Sequence, residues 1–408
     1  MERRLLVYAD LEGVPHLVGR LWGRSARGRE SASFEYDAGW LEHPARFALE
    51  PALALGAGPQ HTAGDRALFG ALGDSAPDRW GRTLIQRDER RRARAEKRTV
   101  RTLSEIDYLL GVGDFARQGA LRFAEAEGGP FLKPEDATQI PPLVRLGDLL
   151  TAALHITADA ATDADLRLLL APGSSLGGSR PKASVLDRDG HLLIAKFPQA
   201  DDTVRINTWE GVAFTLAARA EIPVPGWRLE PIGTQDVMAM ARFDRKGTQR
   251  IPFLSAMSML GARDNEPHSY MELADALRQH GGSPAEDCAD LWRRIVFNIM
   301  IANTDDHLRN HGFLYGKGGW RLAPAYDLNP MPMDIRPRVL SLAIDEADAT
   351  GSLDLAFEVA AHFGVKAREA KAIVAQVAKA VGEWRTVARD LGLKPAEVER
   401  MDSAFLVV

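Results

Sequence analysis

The chain has 408 residues, 45% of them hydrophobic, which is enough to bury a large core and to form two or three domains. A formal net charge of −5 excludes an overall attraction to nucleic acid or anionic membranes, so such partners would need a local patch or a second protein. The first apolar run ends early and no run approaches roughly 18 residues, which predicts a cytoplasmic protein with no membrane partner. The single cysteine, Cys288, excludes an internal disulfide and is expected to be a packed thiol in a helix.

The start of the chain predicts a small β-rich module followed by a basic helix at 78–101. Three short β-like runs, Leu5–Ala9, Leu17–Trp22 and Ala32–Tyr36, are separated by glycines and a proline. Within the helix, Arg87–Arg101 carries eight Lys or Arg residues against three Asp or Glu residues. Such a face suits phosphate contacts, but the interleaved acids are more typical of a solvated helix surface. The predicted domains are a module at 1–127, a linker at 128–145, a nucleotide-side lobe at 146–250 and a helical lobe at 251–408.

A loop rich in glycine and serine, Pro172–Lys182, lies near the start of the nucleotide-side lobe. Glycines allow backbone N–H groups to turn toward a phosphate, and Arg180 and Lys182 supply positive charge. The loop therefore predicts an anion cradle, with a flexible surface loop as the alternative. A predicted hairpin follows and ends in Leu192–Phe197, which places Lys196 on an apolar strand. That lysine is expected either to hold nucleotide phosphates or simply to extend to water.

Two helices are predicted on either side of this hairpin, at Leu146–Leu170 and Thr208–Ala220. Glu210, in the first turn of the second helix, is the candidate ion-pair partner of Lys196, as in kinases. The alternative is a helix cap, because Asn207 precedes the helix and places the glutamate at the third helical position.

Strands predicted at Val224–Leu229 and Val237–Phe243 complete this lobe. The second strand ends where a hinge between two lobes would lie, at Ala241, Arg242 and Phe243. A hinge holds adenine through backbone groups, so these three residues are candidate nucleotide contacts.

The most informative stretch is Asn303–Asn310, which is followed by Tyr326 and Asp327. In a kinase catalytic loop, the Asp that receives the acceptor hydroxyl proton precedes an Asn metal ligand by five positions, and a second metal-binding Asp comes later. Asp305, Asn310 and Asp327 repeat that order, with a predicted hairpin between the two metal ligands. The alternative is a polar turn after an apolar helix, because Asp, Asn and His are common turn residues. Apolar spacing of three to four residues predicts that the surrounding lobe is helical.

The chain resembles the HipA family of bacterial toxin serine/threonine kinases over nearly its whole length. Two departures from the family pattern are Arg309, where Lys is commoner, and Ala241, where members often have Glu. The matching segments are Thr304–Asn310 for the family's Thr-Asp-x-His-x-x-Asn loop, Tyr326-Asp327 for its Tyr-Asp motif, Ser175–Lys182 for its Ser-x-x-Gly-x-x-x-Lys loop, the Lys196 strand, and Phe243-Asp244-Arg245 for its hinge.

The resemblance implies an α+β fold of the two-lobed protein-kinase type, with an N-terminal β-rich module and with ATP and Mg²⁺ as cofactors. It also implies the toxin of a toxin–antitoxin pair, held inactive by a helix-turn-helix antitoxin similar to HipB. DNA would then be met only through the antitoxin. The implied target is a translation component, such as an aminoacyl-tRNA synthetase.

Specific roles follow from the motifs and the resemblance together. Asp305 is expected to orient and deprotonate the acceptor hydroxyl, with Lys196 gripping the phosphates, and Ser175 is the expected autophosphorylation site. Two alternatives are a small-molecule kinase of the aminoglycoside or choline type and a non-catalytic DNA-binding co-repressor that uses the basic segment. The predicted metal ligands are Asn310 and Asp327, and the predicted nucleotide contacts are Gly177, Gly178, Ser179, Arg180, Pro181, Lys182, Lys196, Ala241, Arg242, Phe243, His307, Asn310, Tyr326 and Asp327.

Overall fold

The structure, a computed structural model, describes residues 2–26, 28–64, 66–133, 140–170 and 178–407. The chain divides into two units, residues 1–201 with 231–254 and residues 202–230 with 255–408. Helices and strands both occur, and the first residues form a β-sheet. The prediction of a mixed α+β protein with an N-terminal β-sheet module is therefore confirmed.

An antiparallel sheet of five strands begins the first unit. Its strands are β1 (Glu2–Leu11), β2 (Val14–Ala26), β3 (Arg29–Tyr36), β4 (Gln60–His61) and β5 (Leu121–Ala124). They pair in the order β4-β3-β2-β1-β5. Glu12 and Gly13 connect β1 to β2 with φ angles of 54° and 85°, the conformation that matches a tight hairpin to strand twist. Each of the three predicted β runs lies within one of these strands, and Val7, Val18 and Phe34 are fully buried.

The basic helix is part of a hydrophobic core shared with the lobe that follows it in sequence. The helices of the first unit are α1 (Ala38–Glu42), α2 (Gly70–Gly73), α3 (Arg79–Ala95), α4 (Glu105–Gly111), α5 (Leu146–Thr157) and α6 (Asp163–Leu170). Trp80 and Leu84 of α3 are buried in the same cluster as Leu149 of α5 and Val185. The prediction of one helix at 146–170 was wrong, because the left-handed backbone of Asp159, with φ 54°, separates α5 from α6. The domain boundaries at 127 and 145 stay predictions, and this cluster contains residues from both sides of them.

The predicted hairpin of the nucleotide-side lobe is confirmed. The strands of this part of the chain are β6 (Lys182–Leu186), β7 (Leu192–Lys196), β8 (Trp227–Ile232), β9 (Gln235–Ala241), β10 (Arg245–Lys246), β11 (Gln249–Arg250) and β12 (Phe253–Ser255). β6 pairs with β7 and β7 with β9, all antiparallel. Asp187 closes the β6–β7 turn by accepting hydrogen bonds from the N–H groups of Asp189 and His191. β8 and β12 each span a boundary between the two units.

The second unit is mainly helical, and its helices after residue 255 agree with the helical pattern predicted from residue 251 onward. Its helices are α7 (Ile206–Arg219), α8 (Ala256–Met259), α9 (Tyr270–His280), α10 (Pro284–Met300), α11 (Leu353–Val359), α12 (Ala367–Gly382), α13 (Trp384–Asp390) and α14 (Pro395–Arg400), and its hairpin is β13 (Gly312–Gly316) with β14 (Gly319–Leu322). Pro284 occupies the first helical position of α10, where its missing N–H costs nothing. Cys288 is buried in α10, and burial raises the pKa of its thiol, in agreement with the predicted packing role. Within the described part of the chain, no helix is long and apolar enough to span a membrane.

Candidate active site

The predicted catalytic loop begins where α10 ends. Ala302 has a left-handed φ of 47°, which turns the chain away from the helix, and a 3-10 turn at Leu308–Asn310 closes the loop. The side chain of Asp305 is 63% exposed, and its carboxylate lies 3.5 Å from a guanidinium nitrogen of Arg336. The loop therefore presents Asp305 to solvent, as an acceptor-orienting carboxylate requires.

The backbone carbonyl of Asp305 organises the rest of the loop. The Nδ2 of Asn310 donates a hydrogen bond to it at 3.0 Å, and the backbone N–H of His307 donates to it at the same distance. The amide nitrogen of Asn310 is thus engaged, which leaves its oxygen as the atom suited to a hard cation such as Mg²⁺. His307 is exposed and Asn310 is buried.

The Tyr-Asp segment contacts this loop. The Tyr326 hydroxyl donates to the backbone carbonyl of Arg309 at 2.9 Å. Asp327 is half-buried and has a left-handed φ of 59°, a backbone conformation that Asp and Asn tolerate better than most residues. Asn329 donates through Nδ2 to the Asp327 carbonyl at 3.3 Å. The structure therefore brings the predicted metal-binding segment to the catalytic loop.

A second carboxylate, Asp306, lies buried beneath the loop. Its Oδ2 accepts hydrogen bonds from the Tyr270 hydroxyl at 2.5 Å, the Nδ2 of Asn298 at 2.7 Å and the Nε2 of His311 at 2.9 Å. Burial, followed by the charge of Asp306, raises the pKa of Tyr270 well above its usual value, so the phenol remains a donor. A small cavity next to this cluster is lined by Asn298, Asp306, Asn310, His311, Tyr326 and other residues of the same unit.

The first unit carries the predicted phosphate loop, of which the structure describes the second half. Ser175 and Gly177 lie outside the described residues, whereas Gly178, Ser179, Arg180 and Pro181 precede β6. Gly178 has a φ of 111°, which a side chain rarely adopts. Lys182 is buried and its Nζ lies 3.2 Å from a carboxylate oxygen of Asp78, the N-cap residue of α3. This ion pair was not predicted.

Lys196 ends β7 and lies directly opposite Lys182 in the β6–β7 register. Two predicted phosphate-binding cations are therefore cross-strand neighbours, an arrangement that an anion would stabilise. Glu210 is buried in α7. The prediction that Asn207 caps this helix was wrong, because α7 begins at Ile206 and its N-cap is Arg205, without a side-chain cap bond. The pairing of Glu210 with Lys196 stays a prediction.

The Phe-Asp-Arg hinge segment is tied to the protein interior. Asp244 is 2% exposed and accepts from Arg242 Nε at 2.6 Å, from Arg245 Nη1 at 2.8 Å and from the N–H of Gly119 at 2.7 Å. The backbone N–H of Arg242 donates to the Leu192 carbonyl at 3.3 Å. The contacts of Ala241, Arg242 and Phe243 with adenine stay predictions.

Asp78, Asp244 and Asp306 are the structural residues that sequence reasoning missed. Asp78 carried one available signal, since it precedes the helical pattern as an N-cap residue does. Asp306 and Asp244 stood inside motifs that were assigned to ligand contacts, and spacing alone does not distinguish a buried carboxylate from an exposed neighbour.

Comparison with known proteins agrees with the family resemblance. Residues 174–384 match the family described as the HipA-like C-terminal domain. The protein named "Putative kinase Y4mE" of Sinorhizobium fredii is 25% identical over 415 residues, covering 93% of each chain. "Toxin YjjJ" of Escherichia coli K12 is 26% identical over 231 residues, which are 53% of this chain and 48% of that protein.

The fold also has a counterpart among solved structures. The complex described as the Shewanella oneidensis MR-1 toxin–antitoxin system HipA, HipB and its operator DNA includes a chain with a TM-score of 0.66 to this one. The two are 16% identical, and the alignment covers 98% of this chain and 94% of that one, so the likeness is one of fold. Since the family match alone spans more than half of the 408 residues, the chain belongs to the HipA-like kinase family.

Proposed function

We propose that the chain is an ATP- and Mg²⁺-dependent serine/threonine protein kinase that acts as the toxin of a toxin–antitoxin pair. The observation that carries this proposal is the catalytic loop, in which an exposed Asp305 uses its own backbone carbonyl to hold the side chain of Asn310. The Tyr326 contact then joins the second metal-ligand candidate, Asp327, to the same loop. An exposed carboxylate coupled to two oxygen ligands is the minimum that phosphoryl transfer requires.

The roles in the second unit follow from donor chemistry. Asp305 accepts a hydrogen bond from the acceptor hydroxyl and orients its oxygen for attack on the γ-phosphorus of ATP. It receives the hydroxyl proton as the new phosphate ester forms and the bond to the leaving ADP breaks. Asn310 and Asp327 supply oxygen ligands, which suit Mg²⁺ better than nitrogen or sulfur ligands do. When bound, the metal ion neutralises charge on the transferred phosphoryl group.

The roles in the first unit concern the nucleotide phosphates. Lys196 and Lys182 supply positive charge on adjacent strands, and the backbone of Gly178, Ser179 and Arg180 supplies N–H donors. The backbone of Ala241 and Phe243 is proposed to contact adenine. Burial raises the pKa of Asp78 in spite of its ion pair with Lys182, so a phosphate that approached Lys182 would compete with a carboxylate that already bears a desolvation cost.

The proposed partners are a helix-turn-helix antitoxin and a translation component such as an aminoacyl-tRNA synthetase. The basic segment supports an indirect relation to DNA, because several of its cations are already paired. Arg91 and Arg92 both contact Asp88, and Arg98 contacts Glu89, at distances of 2.5 to 2.7 Å. We expect the purified chain to bind duplex DNA only non-specifically, and a sequence-specific shift by this chain alone would favour the co-repressor alternative.

The central test is phosphate transfer by wild type, Asp305→Ala and a matched control. Asp305→Ala should retain the fold and most ATP affinity but lose activity by roughly a hundredfold or more, because positioning and proton acceptance are lost together. Asp354→Asn changes an exposed carboxylate of α11 and should behave as wild type. Transfer to aminoglycosides or choline but not to protein would favour the small-molecule kinase, and undiminished transfer by Asp305→Ala would refute the assignment.

Ser175 is the proposed site of autophosphorylation, on the strength of the family motif. A phosphate there adds about 1.5 to 2 negative charges close in sequence to Arg180 and Lys182, so it should compete with nucleotide phosphates and switch the enzyme off. Peptide mass spectrometry of wild type and Asp305→Ala tests this. The proposal fails if no loop serine carries phosphate, or if the modified protein binds MgATP as tightly as the unmodified one.

A further inference from the structure

The two adjacent aspartates of the catalytic loop have opposite environments. The side chain of Asp305 is 63% exposed, whereas that of Asp306 is 3% exposed. Burying a carboxylate is costly unless donors satisfy it, and the three donors on its Oδ2 meet that requirement. Because Asp306 is held from three sides, the peptide group that joins it to Asp305 is held as well. The anchor therefore controls the position of the exposed carboxylate and of the carbonyl that fixes Asn310.

The Oδ2 of Asp306 accepts all three bonds, so Asp306 also sets the direction of the hydrogen bonds that lead away from it. Asn298 must turn its Nδ2 toward Asp306, which leaves its Oδ1 to accept from the Nδ2 of Asn303 at 3.1 Å. Asn303 uses its Nδ2 in that bond, and its Oδ1 accepts a hydrogen bond from the backbone N–H of Asn329 at 3.2 Å. Asn329 lies two residues beyond Asp327 and also donates to its carbonyl. A single orientation therefore extends from the buried carboxylate to the metal-binding segment.

The hydrogen bond of His311 to Asp306 has the same direction, toward the Oδ2 of Asp306. Since a carboxylate cannot donate, the Nε2 of His311 carries the proton in its bond to Asp306. Its other ring nitrogen, Nδ1, is buried and has no hydrogen-bond partner among the described residues.

We infer that Asp306 is a positioning residue, which sets Asp305, Asn310 and Asp327 together by fixing the direction of this hydrogen-bond network. The inference rests on the proposed kinase function and adds a residue that stands at the variable position of the family's Thr-Asp-x-His-x-x-Asn pattern. This role of Asp306 differs from a role in stability, because Asp306 affects the rate and the Mg²⁺ requirement of molecules that are already folded.

The first experiment compares wild type, Asp306→Asn and the control Asp354→Asn in phosphate transfer, with kcat expressed per folded molecule from circular dichroism and nucleotide-site titration. An amide at position 306 can also donate, so the network loses its unique direction. We expect kcat to fall about tenfold to a hundredfold, the cost of misplacing reacting groups by up to an ångström, and the half-saturating Mg²⁺ concentration to rise. Wild-type values of both for the folded variant would overturn the inference.

One further variant keeps the inference testable if Asp306→Asn does not fold. Asn303→Ser interrupts only the branch toward Asp327, and it should raise the half-saturating Mg²⁺ concentration while leaving the KM for the protein acceptor unchanged. An unchanged Mg²⁺ requirement would overturn the inference. If the wild type transfers no phosphate at all, the proposed function itself has failed, a result distinct from an active wild type with an equally active Asp306→Asn.

Discussion

Replacing Asp244 by alanine should destabilise the first unit strongly. The carboxylate is 2% exposed and neutralises two guanidinium groups, of Arg242 and Arg245, whose side chains are 1% and 8% exposed. Burial lowers the pKa of Arg245 to about 9, so this cation already bears a large desolvation cost. Removing the carboxylate leaves two buried cations without their ion-pair partner and the N–H of Gly119 without its acceptor.

The expected loss is about 3 to 5 kcal/mol, the usual cost of breaking a buried ion pair by deleting one partner. Backbone carbonyls limit it, since Arg242 also donates to Ala116 and Arg245 to Arg117, and these bonds survive the substitution. Asp148→Ala is the matched control, because its carboxylate is 59% exposed and pairs with Arg145, which is 49% exposed. That change should cost about 0 to 1 kcal/mol.

Urea denaturation followed by hydrogen-exchange mass spectrometry is the appropriate assay. We expect Asp244→Ala to unfold at lower urea than Asp148→Ala and to lose protection in peptides that cover residues 114–124. Burial alone would raise the pKa of Asp244, but the two guanidinium groups outweigh it and hold that pKa well below its usual range. The stabilisation is therefore present above about pH 4 and is lost as the pH falls further. Equal urea midpoints for the two variants at pH 7 would refute this reasoning.

Three further outcomes are expected. Burial raises the pKa of Glu50 to about 7, so between pH 4.5 and 7 the folded state keeps a proton that the unfolded state releases. The free energy of unfolding should therefore fall by about 3 kcal/mol as the pH rises from about 4.5 to 7. Glu50→Gln should remove that pH dependence in thermal melts. Asp78→Asn leaves Lys182 buried without its carboxylate, so the melting temperature should fall. MgATP should raise the melting temperature of this variant more than that of wild type. An equal shift in both proteins would contradict phosphate binding by Lys182. Gly19→Ala puts a methyl group against the backbone oxygen of Glu35 in the neighbouring strand and should destabilise the sheet. In the control Gly56→Ala the new methyl group meets no atom within 4 Å. Similar melting temperatures for these two variants would be evidence against this strand packing.

The strands and most helices could be predicted because their periodicity is local. The predicted β run at Ala32–Tyr36 and the predicted hairpin that ends in Leu192–Phe197 carry their own local signals, and both predictions were confirmed. The break between α5 and α6 was missed because apolar spacing continues across it, and only the backbone conformation of Asp159 separates the two helices.

The candidate site was predictable to the level of residue types and not of environments. The spacing of five between Asp305 and Asn310 identified the exposed aspartate as the candidate. It carried no information about the adjacent Asp306. Whether Asp306 is buried depends on Tyr270, Asn298 and His311, of which Tyr270 lies 36 residues away in sequence. Long-range contacts of this kind leave no local pattern, and the same is true of the bond between Asp244 and Gly119, 125 residues apart.

The path of the chain between the sheet and the lobe constrains how genes of this kind can recombine. After β4 the chain contributes α3 to the hydrophobic core that contains α5, and it then returns to the sheet as β5 beside β1. A single break in the sequence therefore cannot separate the five-stranded sheet from this hydrophobic core without dividing the core. A truncation that begins at residue 146 would remove Trp80 and Leu84 from a core they help to fill and would expose apolar surface. We expect the five-stranded sheet and this hydrophobic core to be inherited, exchanged or lost together.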